Sequence, residues 1–269
     1  MAGEEKKHGA DSPTPPPAPT SRPADEIAAH WAKQSDLPPL DASLREVPHV
    51  AGGRPGRIGD YEILYKLGDG AVSVCYACAK GSAPADESAA DDRPRVAIKA
   101  TDKVRARSQR GRGGDLGARA AAREVAALRR FSHRAIAALL DCVQSARFFY
   151  VASDLGDGTL FDALGEYPDG FGESTAQLVT RRLALALRHC HGAGVCHRDV
   201  KPENVLCFGD PKAWAEGDCD DGGIVKLTDF SLCASTTGGE CSDFAGKCSD
   251  FAATRAETER IPETLLAEL

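Results

Sequence analysis

From Tyr61 onward, apolar and polar positions along the chain follow two different rhythms. Tyr61 to Leu67 and Val72 to Ala79 read as two strands, and Gly68-Asp69-Gly70 between them marks a hairpin turn. A third strand is expected at Arg95-Val96-Ala97-Ile98-Lys99, beyond an Ala/Asp-rich loop from Gly81 to Arg93. Residues 102–117 are polar and read as a loop, followed by a helix from about Ala118 to Phe131. Two more strands are expected at Leu139 to Gln144 and Phe148 to Leu155. Past residue 158 the period lengthens: Ala176, Val179, Leu183, Ala186 and Cys190 recur at steps of three and four, the buried stripe of one helix. Ser174 with Gln177 forms a capping-box start for it, and Gly192 a stop. Val205 to Phe208 and Ile224 to Leu227 predict a small hairpin around a polar insertion, Gly209 to Gly223. Five strands with one helix, then a mainly helical part with a hairpin, make a two-lobed α+β plan.

The residues before this pattern differ in kind. Ser12-Pro13-Thr14-Pro15-Pro16-Pro17-Ala18-Pro19 cannot hold a helix or strand, because proline removes amide donors and fixes φ. Residues 1–58 are therefore expected to be a disordered Pro-rich region. The spacing of Pro13, Pro16 and Pro19 suits a groove-type partner domain, a solvated tail being the plainer reading. Ile27 and Trp31, four apart, share one helical face and either dock on the domain behind them or stand free.

Composition narrows the function classes. In 269 residues, 33 Lys and Arg face 40 Asp and Glu, a net charge of −7, which argues against broad nucleic-acid binding. Arg105, Arg107, Arg110 and Arg112 have no aromatic residue interleaved, so a solvated loop outweighs an RNA patch. The most apolar stretch, Leu183 to Leu187, is far shorter than the roughly 20 residues a membrane span needs. Met1 to Lys7 has no apolar core behind it, so no secretory signal is expected. The ten cysteines are then expected as thiols in a reducing, cytoplasmic setting with nuclear access.

Four stretches carry chemistry. Gly68-Asp69-Gly70-Ala71-Val72-Ser73 lies between strands, and its glycines let the backbone approach phosphate oxygens. Val96-Ala97-Ile98-Lys99 ends a buried strand on a lysine, for which Glu124 on the following helix is the natural partner. His197-Arg198-Asp199-Val200-Lys201-Pro202-Glu203-Asn204 offers a carboxylate to accept a hydroxyl proton, a lysine to neutralise a phosphoryl group, and an amide for a hard cation. Leu227-Thr228-Asp229-Phe230-Ser231 ends a strand on a carboxylate suited to Mg²⁺.

This ordered set, from about Tyr61 to Leu232, resembles the eukaryotic serine/threonine protein kinase family. The resemblance implies a five-stranded N-lobe with one helix at 59–156 and a partial, mainly helical C-lobe at 157–269. It implies ATP and Mg²⁺ as cofactors and Ser/Thr-bearing proteins as substrates, with no nucleic acid or membrane partner. Leu67, Gly68, Gly70 and Ser73 would cover the phosphates, with Cys75 and Ala97 against the adenine. Lys99, paired with Glu124, would hold the α- and β-phosphates. Asp154 and Leu155 would be the hinge, with Ser153 guarding the back pocket. Asp199 would be the base and Lys201 its neighbour, with Asn204 and Asp229 as metal ligands. The loop with Ser73 third and Cys75 at the usual valine is most similar to calcium/calmodulin-dependent-type kinases. Arg198 before Asp199 resembles kinases regulated by activation-loop phosphorylation, with Thr236, Thr237, Ser242 and Ser249 as candidates.

Departures from the family pattern define the rival reading. Ser231 stands where the family carries glycine, Ile261-Pro262-Glu263 is the best match for the close of the activation segment, and little chain follows for a whole C-lobe. A catalytically weak, nucleotide-binding scaffold is the alternative. Zinc is a weaker rival: Cys75 and Cys78 would point to opposite faces of a strand, and the His189 to His197 cluster fits the lead-in to the catalytic loop.

Overall fold

In the computed structural model, residues 24–44, 56–81, 83, 91–108, 116–167, 169–214 and 224–235 are described. Strands β1 (Arg57–Ile58), β2 (Tyr61–Asp69), β3 (Ser73–Lys80), β4 (Arg95–Asp102), β5 (Leu139–Gln144) and β6 (Phe148–Asp154) form one antiparallel sheet, in the order β1-β2-β3-β4-β6-β5. The expected five strands are there, and β1 adds a sixth. Arg57–Ile58 folds back on β2 through Gly59, whose φ of +55° is open to glycine at no steric cost.

Alternation sorts the strand residues onto two faces. Ile63, Cys78, Val96, Ile98, Tyr150 and Ala152 pack together on the outer face. Phe149 and Val151 point the other way, against helix α3 (Leu116–Arg130). Ala118, Ala121, Ala122, Val125 and Leu128 are buried on α3 at steps of three and four. A mostly small-sided stripe of good helix formers lets α3 sit close to the sheet.

Two expectations for the N-terminal half need correction. The polar stretch after residue 102 begins as a helix, α2 (Lys103–Ser108), because Asp102 Oδ1 accepts from the amides of Val104 (2.9 Å) and Arg105 (3.1 Å). Residues 109–115 lie outside the described residues. The expected disorder does not extend to residues 24–44 either. Helix α1 (Ala24–Ala32) buries Ile27 and Trp31 in the same core as α3, and Leu37 follows them.

The second lobe starts at β7 (Gly158–Thr159) and α4 (Leu160–Gly165), where Thr159 and Asp162 form a reciprocal capping box. Helix α5 (Glu173–Gly192) then carries the long stripe in the expected register, except that Thr175 rather than Ala176 is the buried residue at its start. Thr175, Val179, Ala186 and Cys190 are buried, Leu183 is half-buried and Ala176 is exposed. No Ser174/Gln177 box forms: Gly172 is the N-cap, and Gln177 instead donates to Glu173 at 3.3 Å. Strands β8 (Val195–Cys196) and β9 (Val205–Cys207), helix α6 (Pro211–Trp214), and strands β10 (Val225–Leu227) and β11 (Ala234–Ser235) follow. The expected hairpin is β9–β10, flanked by β7, while β8 pairs with β11. The lobes are tied by backbone hydrogen bonds, Leu227 N to Ala135 O and Ala137 N to Leu227 O, both 2.9 Å. The two-lobed α+β plan therefore holds.

The lobe connection has little room at Gly156. A Cβ there would sit 2.9 Å from Cys207 O, 3.0 Å from Leu206 Cβ and 3.2 Å from Gly158 O, and none of these is a flexible side-chain end. Gly156→Ala is expected to destabilise the protein by about 1–3 kcal/mol, as overpacking does. Denaturant unfolding checks this, and an unchanged midpoint would contradict it.

Candidate active site

Directly paired residues of neighbouring strands share a face. Cys75 on β3 lies opposite Lys99 on β4, and Lys99 opposite Val151 on β6; Ala97 lies opposite both Ala77 and Ser153. Because Val151 packs in the core that contains α3, Cys75, Ala97, Lys99 and Ser153 share the inner side. Cys78 is buried on the outer side, so Cys75 and Cys78 face apart as expected.

On that inner side a charge cluster joins the lobes. Lys99 Nζ lies 2.7 Å from Asp229 Oδ1, 3.3 Å from Glu124 Oε1 and 3.4 Å from Oε2. Glu124 is 6% exposed on α3, and Asp229 stands two residues past β10. Burial works against the Lys99 ammonium, yet Glu124 and Asp229 outweigh it and hold the proton on above the ordinary lysine range. Burial also pushes Asp229 up, but the Lys99 charge and hydrogen bond, with help from Ser231, bring it down to about 2. Burial keeps Glu124 above its usual value in spite of Lys99. One cation between two carboxylates leaves the cluster net negative when both are ionised.

The string from His197 to Asn204 folds around Asp199. Asn204 Nδ2 donates to Asp199 O at 2.8 Å and to its Oδ2 at 2.9 Å, and Lys201 Nζ lies 2.9 Å from the same Oδ2. That bond raises the Lys201 pKa. Pro202 opens a 3-10 turn through Asn204, which aims the Asn204 amide back at Asp199. Thr228 N donates to Asn204 O at 2.9 Å, so the loop is stitched beside Asp229. Buried His197 accepts from Asp199 N on Nδ1 (3.2 Å) and donates from Nε2 to Thr228 O (2.9 Å). Burial lowers its pKa, in keeping with a neutral ring in that tautomer.

Arg198 (φ 69°) and Asp229 (φ 58°) are the non-glycine residues with left-handed backbone among the described residues. Both sit where the chain turns sharply at the site, a conformation that the surrounding bonds must hold. Arg198 donates to Leu232 O at 2.7 Å and to Cys233 O at 3.3 Å, fastening the segment after Asp229. Ser231 has no positive φ, so its Cβ meets no backbone penalty in this arrangement. Thr236, Thr237, Ser242, Ser249 and Ile261-Pro262-Glu263 lie outside the described residues.

The glycine turn closes with Gly70 N donating to Ser73 O at 2.7 Å, and a Cβ on Gly70 would lie 3.0 Å from Ser73 Oγ. Gly68 faces open space, Lys66 pairs with Asp69, and Leu67 is exposed at the edge of this hairpin. At the end of β6, Asp154 Oδ2 accepts from Lys226 Nζ at 2.7 Å and from Ala138 N at 2.9 Å. The Asp154 side chain is thereby committed, and a ligand at Asp154 and half-buried Leu155 would meet backbone. Lys226 was not singled out in the sequence, since nothing in β10 marks a partner 72 residues away. Phe230 was missed as well. It is fully buried, with its ring 4.6 Å from His197 and 5.2 Å from Phe131. Its place directly after Asp229 was the available signal.

The protein kinase domain family matches residues 61–256, most of the chain. The chain is 34% identical over 182 residues to CBL-interacting protein kinase 4 of Oryza sativa subsp. japonica, covering 66% of this chain and 34% of that protein. It is also 34% identical over 119 residues to a probable myosin light chain kinase of Dictyostelium discoideum, covering 44% and 28% respectively. Serine/threonine-protein kinase chk-2 of Caenorhabditis elegans matches at 34% over 113 residues, covering 40% and 22%. The chain thus spans about a third or less of the length of these curated relatives. The family match runs through both halves of the site, from the glycine turn to the segment beyond Asp229, and the chain belongs to the eukaryotic serine/threonine protein kinase family.

Proposed function

We propose that the chain transfers the γ-phosphate of ATP to a Ser or Thr hydroxyl of a protein substrate. The observation that carries this reading is the shared Lys99–Glu124–Asp229 cluster lying beside the Asp199–Asn204–Lys201 network, stitched to it through Thr228. Leu67, Gly68, Gly70 and Ser73 cover the phosphates, Cys75 and Ala97 line the adenine slot, and Asp154 and Leu155 meet the adenine edge through backbone. Asn204 and Asp229 fit Mg²⁺. Asp229 stays ionised down to about pH 2, and the Asn204 nitrogen is engaged by Asp199, which leaves its oxygen as the ligand atom. Bound there, Mg²⁺ supplies charge neutralisation to the phosphate oxygens.

Asp199 accepts the hydroxyl proton on the oxygen not engaged by Asn204 and Lys201. The hydroxyl oxygen bonds to the γ-phosphorus as the bond to the β-phosphate oxygen breaks, releasing ADP. Lys201, held on Asp199, places its ammonium near the transferring group, and Lys99 aligns the other phosphates. Protein substrates, a groove-type partner for the prolines of residues 12–19, and a cytoplasmic setting with nuclear access belong to the same proposal. The seven free thiols among the described residues support a reducing compartment.

Asp199→Asn keeps the side-chain size and removes the proton acceptor. Radiolabelled phosphotransfer is expected to fall by about 10²–10⁴-fold; equal incorporation by both proteins would overturn the assignment. Cys75 gives a second test. Burial raises its pKa, so iodoacetamide labelling is slow near neutrality and climbs about tenfold per pH unit until that pKa is passed. Excess Mg·ATP is expected to slow labelling, and an unchanged rate would contradict nucleotide binding against Cys75. Lost transfer with retained protection would favour the nucleotide-binding scaffold.

A further inference from the structure

The strongest unexplained feature lies behind α3. Lys103, the first residue of α2, is 0% exposed, and no carboxylate pairs with it among the described residues. Its ammonium donates to Gln144 Oε1 at 2.8 Å and to Ser145 O at 2.6 Å, and sits 5.5 Å from the centre of the Trp31 ring. Trp31 is 2% exposed and lies 5.8 Å from Phe149, on the strand face that α3 covers. Burying a lysine on neutral partners costs stability that an apolar residue would not. What the lysine gives in return is a directional contact, because an ammonium over an indole face fixes where the indole sits.

The rest of the segment is fastened at the same place. Gln144 Nε2 donates to Pro38 O, while Gln144 O accepts from Asp41 N at 2.9 Å. Arg129, in the last turn of α3, donates to Asp36 O at 2.8 Å. Residues 24–44 thus touch α2, the β5–β6 edge and α3 itself. The helix they brace carries Glu124. Gly117 on α3 has no room for a side chain, since its Cβ would lie 2.9 Å from Ala106 Cβ on α2, so α2 and α3 are packed without slack. A displacement at α2 is therefore passed to α3 rather than absorbed.

We propose that residues 24–44 are a built-in brace for α3, and that Trp31 is a positioning residue that acts through this helix on the Lys99–Glu124 pair. The kinetic part of this proposal rests on the phosphotransfer reading; the structural part does not. With the brace docked, Glu124 holds Lys99 in line with the phosphates. With it undocked, α3 moves outward and Lys99 is left to Asp229 alone. ATP binding through the glycine turn and β6 survives, so the loss falls on the chemical step.

The test compares the full-length protein with Trp31→Ala and the conservative Trp31→Phe. In Trp31→Ala, hydrogen exchange of the α3 amides is expected to quicken at least about tenfold, with the β4 and β6 amides unchanged. Phosphotransfer kcat is expected to fall about tenfold with KM for ATP within about threefold, and Trp31→Phe to restore both. Should Trp31→Ala not fold, Ile27→Ala thins the docked face of α1 in the same core and carries the same expectations at smaller amplitude. Unchanged α3 exchange overturns the proposal even if the protein shows no phosphotransfer at all, which separates its failure from failure of the phosphotransfer reading. Loosened α3 amides with wild-type kcat overturn the positioning role.

Discussion

A buried ammonium is steadied most strongly by negative partners, and in this protein those of Lys99 come from opposite directions. Glu124 reaches it from α3, packed on the sheet, and Asp229 from the end of β10 in the other lobe. Removing either carboxylate weakens the pairing that keeps a largely buried lysine charged, while removing the lysine leaves two carboxylates facing each other. One charge therefore links sheet, helix and second lobe, alongside the Leu227 backbone bonds and the Asp154–Lys226 pair. The neighbouring contacts read as supports for it. Phe230 packs between Phe131 and His197, and the backbone of residues 135–137 is bonded to Leu227, so both sides of Asp229 are anchored next to the sheet.

The same constraint explains why the residues proposed for catalysis collect at this seam. Asp229 is kept ionised by the cation it holds, and the stitch from Thr228 to Asn204 places the Asp199 network next to it. Left-handed backbone at Arg198 and Asp229 marks the two points where the chain turns to bring these groups together. His197, neutral and bonded at both ring nitrogens, fills the space between those turns. Around the seam, Asp154 and Lys226 link the end of β6 to β10, so the strand proposed to meet the adenine is tied to the strand that leads to Asp229.

Local pattern made much of this legible before any coordinates. Strands β2 to β6, α3 and the β9–β10 hairpin follow from apolar runs and alternation bounded by turn residues and from helical spacing. The pairing of Lys99 with Glu124 could be anticipated, since a lysine ending a buried strand demands a partner on a nearby helix. What pattern could not show are contacts fixed by the meeting of distant segments. Lys226 with Asp154 and Lys103 with Trp31 leave no periodic trace. The segment around Trp31 follows a Pro-rich stretch, and its one apolar helical face, Ile27 with Trp31, leaves docking and standing free both open. Ile27, Trp31 and Leu37 are nevertheless enough to dock it once α2 and α3 offer a face. Asp102 shows the limit at smaller scale: a cap was in plain view, but the arginines and glycines behind it hid the helix it starts.

A double-mutant cycle on Lys99→Met and Glu124→Gln, read by denaturant unfolding of the full-length protein, tests most directly whether this charge organises the structure. Each single change is expected to destabilise, and the double mutant to lose less than the sum of the two by at least about 1 kcal/mol, as coupled partners do. Additivity within about 0.3–0.5 kcal/mol, the behaviour of independent sites, would contradict the account.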